Sequence, residues 1–232
     1  MSTGRSMTTT SYAILGLLAV KPWTTYELIQ QVRRSLRRIW PRAASKLYEE
    51  PKKLVALGYA QAVTEQVGRK QRTRYTISPA GRRALAAWVA EPGAGPVLEF
   101  EQLLKIHFAD SGSTEDIRAN LTATLAWVRE QNEENLAAAR AYLVDDGPFP
   151  DRAALNGLGG RFLTEYYAMV AGWAHWALGI VETWPDDPTR AAPDRAATAE
   201  TVRIAESIAD GQLPPLTMTN PQQARRPTST RP

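Results

Sequence analysis

Four cations, Arg69, Lys70, Arg72 and Arg74, fall within six residues of the run GRKQRTRYTI. Guanidinium and ammonium groups at that density suit charge-assisted hydrogen bonding to phosphate oxygens. A second set lies upstream in RAASKLYEEPKK, where Arg42, Ser45, Lys46, Tyr48 and Lys52 recur along one stretch. Ser45, Lys46 and Glu49 are of types that can meet base edges, Lys reaching guanine and Glu reaching cytosine. The hydroxyls of Ser11, Tyr26 and Tyr48 can bond to a phosphate backbone, and core packing is the competing role for the two tyrosines.

The bland alternative for a basic cluster is a solvated turn, and the charge distribution weighs against it. Residues 1–90 hold 16 basic and 4 acidic residues, a balance of +12, whereas residues 91–232 hold 12 and 20, a balance of −8. The first part has the electrostatics of a polyanion binder; the second would repel one.

Other chemistries lack their residues. The chain has no cysteine and two histidines, His107 and His175, which leaves no thiolate site and no His-rich metal site. GLGG at 157–160 lies inside a helical pattern rather than between a strand and a helix, so it is no phosphate loop. No cofactor, metal or enzymatic activity is expected. The start MSTGRSMTTTSY lacks the apolar run of a secretory leader, and the absence of cysteine fits a reducing cytoplasm. Tyr166 to Val181 is uncharged but too short to span a bilayer, and Glu165 and Glu182 close it.

Positioning these groups requires an ordered set of elements. Apolar spacing predicts a helix over Thr9–Val20, a second from Thr24 or Thr25 past Val32, and a third from Arg42 or Ala43 to Leu57. Pro51 either bends the third helix or starts a new turn, and Gly58 closes it. Two β-prone runs, Tyr59–Val67 and Thr73–Ile77, read as a hairpin with a five-residue link. Ser78-Pro79 then caps a helix to Ala90 that turns Leu85, Trp88 and Val89 inward. Three helices, a two-stranded wing and a further helix are the order of a winged helix-turn-helix.

The succession SYAILGLL, TYELIQQV, SKLYEEPKKLVALGY and GRKQRTRYTISPAGRRALAAWV resembles the DNA-binding domain of the PadR-like transcriptional regulators across residues 9–90. Thr25 departs from the glycine common before Tyr-Glu-Leu in that family, and Glu49-Glu50-Pro51 replaces its Tyr-Pro step. The resemblance implies double-stranded operator DNA as the partner and places Tyr26 and Tyr48 beside the DNA backbone.

Beyond a linker at 91–98, containing PGAGP, the composition changes. A short helix over Glu99–Ala109 precedes one that Ser113 caps and that runs to about Val144. DDGPFPD breaks the chain before a helix over Asn156–Trp184. Leu158, Phe162, Tyr166, Met169, Trp173, Trp176 and Ile180 recur there at three and four residues, the seam of a helix meeting another helix. A weaker helix over Asp194–Asp210 and a Pro-, Thr- and Gln-rich tail, expected to be disordered, complete the chain.

Residues 99–184 are similar to the C-terminal region of the longer PadR-like regulators, the type also seen in AphA-like virulence activators. That likeness implies an antiparallel helical arm that makes a homodimer, and wide apolar stripes independently call for a partner surface. Some PadR-like regulators respond to phenolic acids or drugs. Trp127, Tyr166, Tyr167, Trp173, His175 and Trp176 are accordingly candidates for an aromatic-effector pocket, with core or dimer seam as the plainer reading.

The expected fold class is thus mainly α with a small β wing: a winged helix-turn-helix over 1–90, a helical dimerisation and effector region over 99–210, and a tail from 211. The expected function is a homodimeric, cytoplasmic transcriptional repressor released by a small aromatic effector. A helical adaptor whose basic lobe binds an acidic protein is the alternative, separable by a mobility-shift assay.

Overall fold

In the computed structural model, residues 6–41, 48–67 and 70–212 are described. The chain divides into two compact units, Met1–Pro96 and Val97–Pro232.

In the first unit, α1 (Thr9–Val20) starts at Thr8, whose hydroxyl accepts from the Ser11 N–H while Ser11 bonds back to the Thr8 backbone. Reciprocal capping satisfies two amides that the helix leaves without partners. Ile14, Leu15 and Leu18 are its buried face. Lys21-Pro22 ends the helix, and the next two residues, Trp23–Thr24, form a short strand, β1. Thr24 then caps α2 (Thr25–Ser35) through a second capping box with Glu27. Leu28, Ile29 and Val32 carry α2 into the core.

Pro51 starts a helix rather than bending one: α3 spans Glu50–Ala56 with proline in its first turn, where a missing N–H costs nothing. It closes with Gly58 at φ +76°. The Tyr59 N–H reaches back to the Leu54 carbonyl (2.9 Å) and the Gly58 N–H to that of Val55 (2.9 Å), the two bonds of a Schellman motif. The hairpin is longer and tighter than its sequence implies. Strands β2 (Ala60–Val67) and β3 (Lys70–Ile77) stay in register to the Val67–Lys70 pair, leaving two linking residues instead of five. β-Propensity marked only Thr73 onward, whereas cross-strand pairing carries the polar residues Lys70 to Arg72 into the ladder. The wing also has three strands, because Trp23 and Thr24 of β1 pair with Tyr75 and Arg74 of β3.

Ser78 begins α4 (Pro79–Ala90) and locks it to the hairpin. Its hydroxyl accepts from the Gly81 N–H (3.0 Å) and donates to the Gly58 carbonyl (2.6 Å). A Cβ at Gly81 would sit 2.1 Å from the Tyr59 carbonyl oxygen, so only glycine permits this approach. Along α4, Trp88 stacks on Tyr12 (5.0 Å between centroids, 6° between planes). Val89 is exposed rather than inward, because the α4 face that packs on α1 passes beside it.

In the second unit, α5 (Glu101–His107) precedes a single 3-10 turn at Ala109–Ser111. Next comes α6 (Thr114–Leu143), started by a Ser113–Asp116 capping box. Packed along it is α7 (Ala153–Val181), through Ile117, Leu121 and Val128 on α6 and Tyr167, Val170, Ala174 and Val181 on α7. That face is rotated from the expected seam, of which Leu158, Phe162 and Met169 stay exposed in the single chain. Smaller residues, Val170 and Ala174, let the two helices approach closely, which the bulkier stripe would prevent.

The hairpin tip is fixed by Tyr142, whose hydroxyl donates to the Pro148 carbonyl (2.6 Å) and accepts from Asn156 (2.7 Å). The WPDDP turn is tied to the start of α6 by the Thr114 N–H to the Asp186 carbonyl (2.9 Å) and by the Thr114 hydroxyl to Pro185. Last comes α8 (Arg195–Ala209), capped by Asp194 and carrying no buried residue. No helix among the described residues is long and apolar enough to cross a membrane.

Gly81→Ala should destabilise the first unit by about 1–3 kcal/mol, because the backbone of Tyr59 must move. Gly157→Ala in α7, where a Cβ meets nothing within 4 Å, should be neutral or stabilising. Thermal melts followed by circular dichroism check both.

Candidate nucleic-acid interface

Exposure sorts the basic and hydroxylic residues of the first unit into two groups. Tyr26, in the first turn of α2, is 71% exposed, and Tyr48, just before α3, is 66% exposed. Both therefore present their rings and hydroxyls to solvent rather than to the core. Lys52 on α3 and Arg72 on β3 are also exposed. These four are free of the core and placed to meet a ligand.

Ser11 and Lys53 belong to the second group. Ser11 is fully buried, which removes it as a phosphate contact. Its hydroxyl donates to Glu50 Oε2 (2.7 Å) and accepts from Lys53 Nζ (3.0 Å). Lys53 also lies 3.5 Å from Glu50 Oε1. Lys53 follows the exposed Lys52, but the Glu50 carboxylate, only 4% exposed, draws it inward. A buried carboxylate without such partners would be costly, so the network ties α1 to α3. Nothing in the sequence pattern marked Glu50 as the inward residue of the pair Glu49-Glu50.

Arg74 is similarly committed. Its Nε lies 3.1 Å from Glu65 Oε1 on β2 and its Nη1 3.8 Å from Glu27 Oε2 on α2. The guanidinium bridges wing and helix, and two carboxylates already offset its charge. It therefore acts as a strut for the wing, a correction to its reading as a phosphate ligand. Glu27 also accepts the Thr24 N–H (2.8 Å) and hydroxyl (2.9 Å). The backbone N–H of Thr24 first, then its hydroxyl, then the charges of Arg74 and Lys21 hold the Glu27 carboxyl below its usual value of 4.5. Arg42, Ser45, Lys46 and Arg69, with the side chain of Lys70, lie outside the described residues.

Residues 14–87, from the interior of α1 to that of α4, match the model of the transcriptional regulator PadR-like family. Over that segment the chain is PadR-like. PadR-like regulators bind DNA and are not enzymes. Among curated relatives, a probable transcriptional regulator of Mycobacterium tuberculosis, Rv1176c, is 27% identical over 157 residues, covering 63% of this chain and 80% of that one. The negative transcriptional regulator PadR of Bacillus subtilis is 30% identical over 99 residues, 42% of this chain and 54% of that one. Among solved structures, B. subtilis PadR in complex with operator DNA superposes with a TM-score of 0.65 at 22% identity, covering 74% of this chain and 98% of that one. Vibrio cholerae AphA gives 0.57 at 22% identity, covering 75% and 98%. Both likenesses are of fold, the winged helix followed by helices that the PadR-like architecture implies.

The six aromatic-effector candidates do not converge. Trp127, Tyr166 and Tyr167 cluster with Val128 and Val170, the Trp127 and Tyr167 rings edge to face at 6.0 Å. Trp173 and Trp176 instead line a cavity of about 460 Å³ between α5, α6, α7 and the Trp184–Pro188 turn. His175 is exposed and absent from that lining, because it follows Ala174 on the opposite side of α7. His107 and Trp184, which spacing did not single out, take part instead.

Two outcomes test these assignments. Since its folded-state pKa is lowered, Glu27 stabilises the fold above the ordinary carboxylate value and loses that contribution as pH falls through the lowered one. Glu27→Gln should thus be less stable than the parent at neutral pH, with the difference closing below about pH 4 in denaturant melts. Ser11→Ala should cost about 1–3 kcal/mol of stability while leaving the salt dependence of DNA binding unchanged. Lys52→Ala should do the reverse, with an unaltered melt and a salt slope smaller by about 1 per contacted phosphate.

Proposed function

We propose that this PadR-like protein is a homodimeric, cytoplasmic repressor that covers operator DNA and is released by a small aromatic effector. Tyr26, Tyr48, Lys52 and Arg72 contact the DNA, together with Arg42, Ser45, Lys46, Arg69 and Lys70. The observation that carries the homodimer is the apolar surface left over when α6 and α7 have packed. Leu155, Leu158, Phe162 and Met169 on α7, with Leu136 and Leu143 on α6, are each 42% to 84% exposed. Such a stripe at helical spacing is the surface a second copy would bury.

Repression is supported by the relative described as a negative transcriptional regulator, and operator binding by the PadR structure with operator DNA. A structure of B. subtilis PadR in complex with p-coumaric acid supports an aromatic effector. The two half-sites would lie about one helical turn of DNA apart.

The test uses the full chain carrying Leu158→Glu and Phe162→Glu, charges placed on the exposed stripe without touching the buried face of α7. Light scattering should show a dimer for the parent and a monomer for the variant, at unchanged helix content. In mobility shifts against the region upstream of its own gene, the parent should lose about three to five decades of affinity between 50 and 200 mM salt if some six to ten phosphates are neutralised. The monomeric variant should bind far more weakly. Full operator affinity in the monomer would refute the homodimer as the binding form.

A further inference from the structure

The cavity in the second unit has a charge character that selects among aromatic ligands. Its volume of about 460 Å³ suits a molecule of two or three fused rings. Trp173, Trp176 and Trp184 line it together with Ile117 and Leu121. Trp173 is braced by an edge contact with Phe100 at 5.8 Å, so its indole is held in place rather than free to fill the space. The polar side chains of the lining are His107 and Asp110, and neither Lys nor Arg is among the lining residues.

Asp110 takes part in none of the ion pairs among the described residues. Among the cations next to lining residues, Lys105 pairs with Glu101 (3.0 Å), Arg118 donates to the Val181 carbonyl (3.3 Å) and pairs with Glu115 (3.4 Å), and Arg190, two residues past Pro188, acts on Asp187. Each is therefore directed at a carboxylate other than Asp110. The turn that supplies Trp184 and Pro188 carries Asp186 and Asp187, and residues 91–232 as a whole have a balance of −8. Thr189 bonds to Asp187, hydroxyl and backbone, and holds that carboxylate in its charged form.

Indole faces are electron-rich and attract cations, most strongly where water is displaced. A carboxylate at the rim adds to that attraction, and an aromatic acid would meet it with no cation in the lining as counter-charge. We infer that this cavity takes a planar aromatic cation, with the ring system among Trp173, Trp176 and Trp184 and the charge beside Asp110. This ligand class is opposite in charge to the p-coumaric acid held by B. subtilis PadR. The inference rests on the aromatic-effector reading above and assigns its chemical class.

One ring system in three charge states tests it. The purified full-length protein, without DNA, would be titrated calorimetrically at pH 8 with 9-aminoacridine as the cation, acridine as the neutral ring and acridine-9-carboxylate as the anion. The cation should bind about tenfold more tightly than acridine, and the carboxylate more weakly than either. Asp110→Asn should reduce the preference for the cation to about threefold or less and leave acridine binding unchanged. Trp176→Ala should weaken all three ligands, with Trp176→Phe restoring most of the loss if the protein remains folded by circular dichroism.

Tightest binding by the carboxylate would overturn the cation class while leaving an aromatic effector in place. Failure of all three to bind would overturn the effector reading and the class with it. A cation preference undiminished in Asp110→Asn would place the charge elsewhere and overturn the site.

Discussion

The contact between Ser11 on α1 and Glu50 on α3 decides which face of the DNA-binding unit is chemical and which is structural. A carboxylate that is 4% exposed must be fully bonded, and Ser11 and Lys53 are the groups that bond it. Once they are so used, α3 can turn in only one way: Leu54 enters the core and Lys52 faces solvent. The Schellman closure at Gly58 then delivers the chain to β2, and Ser78 returns from β3 to bond the Gly58 carbonyl. Glu27, Arg74 and Glu65 extend the same principle to the wing, joining α2 to the hairpin by paired charges. The basic residues of this unit are thus divided between those that hold its shape and those left to meet a polyanion.

The second unit follows a different constraint, that of two long helices packed along one face. Close approach favours the small residues Val170 and Ala174, so α7 meets α6 on that side. Leu158 and Phe162 fall to the outside, where they stay exposed in the single chain. Nearer the start of α6, α5 and the WPDDP turn cover the ends of both helices incompletely and leave the tryptophan-lined cavity. On α7 the exposed stripe and the cavity-lining tryptophans share one side of the helix at different heights, Leu158 and Phe162 in its first half and Trp173 and Trp176 in its second.

Much of this was legible from local chemistry. The ends of α1, α4 and α6 follow from Thr8, Ser78 and Ser113 and from Lys21-Pro22, because capping and proline act within a few residues. Charge asymmetry and the order of elements pointed to a DNA-binding winged helix, and the family comparison agrees. Elsewhere local chemistry misled. β-Propensity missed the polar start of β3, Lys70 to Arg72, and gave no sign of β1, two residues held only by pairing with Tyr75 and Arg74. Aromatic spacing grouped Trp127 and His175 with Trp176, although Trp127 sits on α6 and His175 points about 100° away from Trp176 round α7, so the three have different surroundings.

The sequence by itself determined what is carried by short range or by sums: the helices and their caps, the class of fold, and a basic first part beside an acidic second. Tertiary structure alone decided which member of a pair turns inward, the buried Glu50 rather than Glu49 and the half-buried Lys53 rather than Lys52. It alone joined Arg74 to carboxylates on two elements and brought His107 and Asp110 to three tryptophans up to 77 residues away. The physical reason is that adjacent residues on a helix differ by about 100° in direction, so their roles depend on what a distant segment places opposite them.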